Sequence, residues 1–321
     1  MLFGQGDHVY EINEEWGRHF YSPYVEVTGV GVDSEDNVFV LTRGLDPVLV
    51  FDSQGRFLRS WGRKHLTRPH GLSVGPDGSI YCTDGDHTVK KFTPHGDLVM
   101  VLGRSGHHSN TGCVDKGFPD FPDSKTIKRG AGPFYFPTDT AFDKEGNVYV
   151  SDGYGNARIH KFSEEGELLL SWGDPGSEKG QFTLPHGICV DKDDIVYVAD
   201  RENCRIQLFD TEGHYLDQWS SNRPTDLFIK DGALYVTELG FPTLYLRLSP
   251  ARLSIFDLRG ELLARWGDAD GCAPGHFFAP HGICVDSQDN IYVGEVVISS
   301  VASLECHTLQ KFVRMRQKNR S

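Results

Sequence analysis

From Pro137 the chain alternates short apolar stretches with tight polar turns. Thr140-Ala141-Phe142 is followed by Asp143-Lys144-Glu145-Gly146-Asn147 and then by Val148-Tyr149-Val150-Ser151-Asp152. After a loop come a third stretch ending Ile159-His160-Lys161-Phe162, the turn Ser163-Glu164-Glu165-Gly166, and a fourth stretch ending Ser171-Trp172-Gly173. Period-two alternation bounded by Gly, Asp and Asn predicts four β-strands joined by short turns. The same pattern recurs at 27–62, 69–103, 185–220, 224–267 and 280–313. Its second strand reads Val38-Phe39-Val40, Ile80-Tyr81-Cys82, Val148-Tyr149-Val150, Val196-Tyr197-Val198, Leu234-Tyr235-Val236 and Ile291-Tyr292-Val293. Its last strand closes on Trp61-Gly62, Trp172-Gly173 and Trp266-Gly267, with Leu102-Gly103 and Trp219-Ser220 as variants.

One four-stranded sheet cannot bury two apolar faces alone, so six such units predict radial repetition: an all-β, six-bladed β-propeller, with 1–321 as a single domain. The sixth repeat stops after its third strand, at Lys311-Phe312-Val313, while the N-terminal stretch from Val9 ends in the missing Trp16-Gly17. Segment 1–17 is therefore expected to supply the absent strand of the last blade and to close the ring, removing two exposed strand edges. Antiparallel order puts the start of each first strand and the loop between the second and third strands on one face. The long connections 104–133, 239–253 and 296–308 fall there, whereas the other face has turns such as Pro76-Asp77-Gly78. Function is expected on the elaborated face.

The formal charge of -13 over 321 residues argues against a nucleic-acid partner, and the basic run from Lys311 to Arg320, which overlaps the tail 314–321, reads as a solvated end. Residues 1–10 lack a basic and apolar leader pattern, and no stretch has the length of a membrane span, so no membrane partner and a cytoplasmic location are expected. Seven cysteines without a CxxC pair point to no metal or redox motif. Cys82, Cys189 and Cys284 read as small core residues, while Cys113, Cys204, Cys272 and Cys306 lie at loops, where pairing stays open.

The position that opens each first strand carries the candidate chemistry. It runs Thr28, His70, Thr138, His186, Thr225, His281, so histidine falls on every second repeat. In a closed ring these three imidazoles converge about an approximate threefold axis, which points to a divalent metal rather than to a purely hydrogen-bonded ring. Three neutral imidazoles suit zinc and leave a fourth position for water or substrate; iron, cobalt and manganese remain open on ligand type alone. At the ends of second strands stand Arg43 and Arg201, with Tyr154 and Arg158 after the second strand of blade three. A guanidinium fork suits a carboxylate, and a tyrosine beside cations can serve as a general base. Arg43 and Arg201 are expected to face substrate, and Arg158 and Arg205 to be taken up in ion pairs with acids such as Asp84, Asp152, Asp200, Glu238 or Glu295.

The repeats resemble NHL repeats. Pro69-His70-Gly71-Leu72, Thr42-Arg43-Gly44, Ser151-Asp152-Gly153-Tyr154-Gly155-Asn156-Ala157-Arg158-Ile159 and Ala199-Asp200-Arg201-Glu202-Asn203-Cys204-Arg205-Ile206-Gln207 together resemble the peptidyl-α-hydroxyglycine α-amidating lyase family over nearly the whole chain. The resemblance implies zinc on His70, His186 and His281, Tyr154 as catalytic base, and Arg43 and Arg201 as catalytic, substrate-binding residues. It implies a small-molecule or peptide substrate bearing a carboxylate, cleaved at the C–N bond of an α-hydroxyglycine to an amide and glyoxylate. It also implies calcium bound through backbone carbonyls at Val30 and Leu72. This sequence departs from the family at Gly282, where an aspartate would complete the calcium site, at Ala279, where a methionine stands, and at Gly155, where a cysteine would form a disulfide. Asp139 and Asp226 occupy the repeat position of Gly282 in other blades. Two other readings stay open: a metal-dependent hydrolase of a small ester or lactone, and a non-catalytic protein-binding propeller.

Overall fold

The computed structural model describes residues 1–17, 26–117, 120–240, 250–267, 271, 273–297 and 307–315. Cys272, Cys306, the interiors of the 239–253 and 296–308 connections and tail residues 316–321 lie outside the described residues. The secondary structure is that of a six-bladed propeller: six antiparallel sheets, five of four strands and one of five. The third blade shows how the sequence builds them, with strands Pro137–Phe142, Val148–Asp152, Arg158–Phe162 and Leu168–Trp172. In its first turn the Asp143 carboxylate accepts the amides of Glu145 and Asn147, at 3.0 and 2.9 Å, so one side chain holds the reversal. The same aspartate device recurs at Asp33, Asp52, Asp191, Asp210, Asp257 and Asp286.

The chain divides into two compact units, 61–227 and 1–60 with 228–321. In the first, the recurring Trp-Gly mark finds its physical reason. A Cβ added at Gly96 or Gly213 would meet the indole of Trp61 or Trp172 at 2.5 or 2.8 Å. Both glycines sit in third-to-fourth-strand turns at positive φ, so only glycine gives both the turn and the close approach. Each tryptophan thus seals one blade against the next, and Leu102 does the same against Gly166.

In the second unit Trp16 packs in this way on Gly55, meets Phe51 tilted and Tyr292 edge-on, and donates its indole N–H to the Ser53 carbonyl. The strand His8–Asn13 pairs antiparallel with Leu309–Arg314, Tyr10 opposite Arg314 and Asn13 opposite Lys311, so the N-terminal segment completes the last blade as expected. A further strand, Leu2–Gln5, folds back on His8–Asn13 and makes this the five-stranded sheet, which the repeat pattern does not show. Phe3, Tyr10, Phe277 and Phe312 pack there against Trp266 of the preceding blade.

No helix among the described residues is long and apolar enough to cross a membrane. Cys113 and Cys204 are free thiols.

Candidate metal and catalytic site

Each histidine is the second residue of a first strand: Pro69–Val74, Pro185–Val190 and Pro280–Val285. The strand register breaks just there, between Pro69 and Leu72, Pro185 and Ile188, and Pro280 and Gly282. Such irregularities re-aim a side chain out of the sheet alternation. The residues ahead of the histidines are pinned by buried acids at the ends of second strands. Asp84 accepts the amides of Thr67 and Arg68, Asp200 that of Thr183, and Glu295 those of Phe278 and Ala279. Glycine follows each histidine because the next blade's backbone lies against it: a Cβ at Gly71 would meet the Thr138 carbonyl oxygen at 2.3 Å.

The alternating threonine position then acquires a role. The Nδ1–H of His70 donates to the carbonyl of Thr138 at 2.8 Å, that of His186 to Thr225 at 2.6 Å, and that of His281 to Thr28 at 2.7 Å. In all three the following repeat supplies the acceptor, which fixes the ring and leaves Nε2 as the lone-pair nitrogen. The three histidines are buried, 1%, 2% and 6% exposed, and their ligand atoms lie within 4.8 Å of one another. Three imidazoles of one tautomer, each oriented by a carbonyl, are a donor set that fits a divalent transition metal.

Tyr154 follows the strand Val148–Asp152 and is buried. Its Oη lies 3.2 Å from His70 Nε2 and 3.4 Å from Arg201 Nη1. Arg201 in turn pairs through Nε with Glu202 at 2.9 Å, and Glu202 also takes Nη2 of Arg223 at 2.7 Å. Burial opposes the Arg201 charge, but the Tyr154 oxygen and Glu202 more than offset it and hold the guanidinium above its ordinary value. Burial acts against the Glu202 charge too, yet Arg201 and Arg223 keep its carboxyl below the usual range. Arg43 pairs with the buried Glu26 of its own repeat. Both candidate arginines are thus ion-paired, contrary to expectation, because a largely buried cation needs a counter-ion. Arg205 pairs with Asp200 at 2.7 Å as expected, whereas Arg158 has no ion-pair partner among the described residues.

An apolar wall of Tyr135, Phe136 and Leu184 packs with Tyr154, and Phe121 from the 104–133 insertion joins it. Phe136, Leu184 and Arg223 hold φ of 67°, 71° and 47°, each just before the proline that opens a first strand. Left-handed backbone at non-glycine residues costs on the order of 1–3 kcal/mol each and gathers at functional sites. Glu202, Arg223, Phe121 and Arg68 had no role in the sequence reading. Only the Asp200-Arg201-Glu202-Asn203 string offered a signal, an acid beside a candidate arginine.

The residues do not fit calcium on the pattern the resemblance implies. Val30 and Leu72 are buried strand residues, but position 282 offers no carboxylate. Nor has it room for one, since a Cβ there would meet Gly29 Cα at 2.8 Å and Val30 N at 3.0 Å. Calcium takes six to eight oxygens, carboxylates among them. Asp139 is engaged by Ser73 Oγ and the Ile188 amide. Gly155 likewise has no room for a side chain, its Cβ falling 2.3 Å from the Tyr135 ring.

Sheet architecture and repeats together define an NHL-repeat β-propeller, and the NHL repeat family matches at residues 134–162 and 182–209. NHL repeat-containing protein 3 of Mus musculus is 34% identical over 292 residues, 83% of this chain and 76% of that protein. Peptidylglycine alpha-amidating monooxygenase of Rattus norvegicus is 35% identical over 225 residues, 66% of this chain but only 19% of its own length. Peptidyl-alpha-hydroxyglycine alpha-amidating lyase 1 of Drosophila melanogaster is 28% identical over 268 residues, 75% of this chain and 45% of that protein. Virginiamycin B lyase from Staphylococcus aureus shares the fold, with a TM-score of 0.60 at 14% identity over 95% of this chain and all of that one. The chain belongs to the family of NHL-repeat propellers that includes NHL repeat-containing protein 3 and the peptidyl-α-hydroxyglycine α-amidating lyases.

Proposed function

We propose that this protein is a metal-dependent lyase that cleaves the C–N bond of an α-hydroxyglycine-type carbinolamide to an amide and glyoxylate. The observation that carries the reading is the Tyr154 hydroxyl, shared between His70 of the histidine group and Arg201. His70, His186 and His281 would hold the metal, zinc by preference, through Nε2. When bound it supplies Lewis acidity at the substrate hydroxyl. Tyr154 Oη, in its deprotonated form, takes the hydroxyl proton; the O–H electron pair becomes the glyoxylate C=O; the C–N bond breaks, and its electron pair on nitrogen takes that same proton back from Tyr154 to give the amide, which restores the tyrosinate. Arg201, oriented by Glu202, steadies negative charge on the Tyr154 oxygen, and Arg43 and Arg201 bind the substrate carboxylate. The buried wall of Phe136 and Leu184 keeps water from the tyrosine.

The test is glyoxylate release from α-hydroxyhippurate by metal-replete protein. Release that is lost on chelation and restored by zinc supports the reading. Metal-replete protein that hydrolyses small esters or lactones and releases no glyoxylate overturns it in favour of a hydrolase.

A further inference from the structure

The ring of Tyr154 is held by a stack that the repeats alone would not build. Phe121 lies on it nearly parallel, with ring centroids 4.2 Å apart at 20°. The Arg68 guanidinium sits 4.0 Å from the Phe121 centroid and 5.0 Å from that of Phe136. Two groups centred about 4 Å from one ring cannot share a face, so Phe121 is sandwiched between Tyr154 and Arg68. Arg201 stands over the Tyr154 ring as well, at 5.6 Å.

The stack is tied down at several points. Arg68 Nη1 donates to the Asp120 carbonyl at 2.9 Å, and its own amide is held by Asp84 at 2.6 Å. Inside the insertion Val114 and Asp123 form a β-bridge, with Asp123 two residues beyond Phe121. The buried Thr111 hydroxyl donates to the Gly155 carbonyl, next to Tyr154, at 2.6 Å. A cysteine cannot link the insertion to position 155, because the Tyr135 ring fills that space. The threonine contact and the aromatic stack make the link instead.

We propose that Phe121 and Arg68 are positioning residues for Tyr154. The 104–133 insertion presses Phe121 onto the tyrosine, and Arg68 backs the phenyl ring, so that Oη stays against His70 and Arg201. The proposal rests on the reading of Tyr154 as the proton acceptor. Arginine suits the backing place because its flat guanidinium stacks, which an ammonium does not.

The test measures glyoxylate release, metal content and Tyr154 nitration by tetranitromethane, located by peptide mass spectrometry. It compares the wild type with Phe121→Ala, Phe121→Leu, Phe121→Tyr, Arg68→Met and Arg68→Lys. Phe121→Ala is expected to lower kcat by roughly 10–100-fold, the scale of a misplaced group, with KM and metal content little changed. It should also speed nitration of Tyr154. Phe121→Tyr, which keeps a flat ring, should recover most of the rate and the protection, and Phe121→Leu, which keeps only bulk, should not. Arg68→Lys should resemble Arg68→Met. Unchanged kcat and nitration in Phe121→Ala, or a tyrosine variant no better than the alanine one, overturns the proposal. If the wild type releases no glyoxylate, the lyase reading fails, and nitration alone decides whether the stack holds the ring.

Discussion

His70 Nε2 and Tyr154 Oη lie 3.2 Å apart although 84 residues separate them in the chain. On the proposed reading, a nitrogen that would bind metal and an oxygen that would take a proton address one point. Tyr154→Phe should keep the fold and metal content but lower turnover by roughly 10²–10⁴, the scale for losing a general base. Near-normal glyoxylate release from this variant would remove Tyr154 from the chemistry.

Arg201 touches Tyr154 through Nη1 and Glu202 through Nε, and Arg43 rests on Glu26. Arg201→Ala and Arg43→Ala should weaken use of carboxylate-bearing substrates more than of their neutral amides. Equal losses on both substrate types, measured as kcat/KM, would place these arginines outside carboxylate recognition.

Histidine Nδ1 atoms committed to the carbonyls of Thr138, Thr225 and Thr28 leave a preorganised donor set. Protein purified without chelator should carry one transition metal per chain by elemental analysis, and His186→Ala should lose most of it. Chelation should also lower the melting temperature, since a ligand at a thousandfold excess over its Kd stabilises the folded state by about 4 kcal/mol. A metal-free wild type would show that the imidazoles serve only each other.

The N-terminal segment 1–17 contributes Phe3, Tyr10 and Trp16 to buried clusters, and its strand His8–Asn13 pairs with Leu309–Arg314. Removing 1–17 should cost most of the folding stability, because it bares a strand edge and the apolar face around Phe312 and Tyr292. The thermal midpoint of the truncated protein reads this directly, and an unchanged midpoint would contradict it.

Burial pushes the Glu295 carboxyl up to about 7, against the opposing hydrogen bonds from the Phe278 and Ala279 amides and the Gln310 side chain. A carboxyl raised above its unfolded value of 4.5 binds a proton more tightly in the folded state. Its contribution to stability is full below pH 4.5 and is lost as pH rises through 7. Subtracting the stability profile of Glu295→Gln from that of the wild type should isolate a decline across this window. A flat difference between pH 4.5 and 7.5 would mean that the hydrogen bonds outweigh the burial.

The repeat count, the strands, the turns and the three histidines were legible in the sequence because each depends on local chemistry repeated at a fixed spacing. Asp143 and Gly146 make their turn from residues within a few positions of one another, and the Trp-Gly mark returns with every blade that carries it. Trp16 even disclosed the closing strand, being a repeat mark out of place. What the tertiary structure decided lies where no repeat register exists. Phe121 belongs to an insertion with no counterpart in other blades, so nothing in the sequence could align it with Tyr154. Leu2–Gln5 has no repeat equivalent either, and only the exposed edge of His8–Asn13 gave it a partner. Glu202 could be seen beside Arg201, but that it also takes Arg223 depends on the following blade's loop turning back at a left-handed residue. The threonine positions were visible as an alternation, yet their role resides in backbone carbonyls, which every residue has and which only the close approach of successive blades brings to the imidazoles.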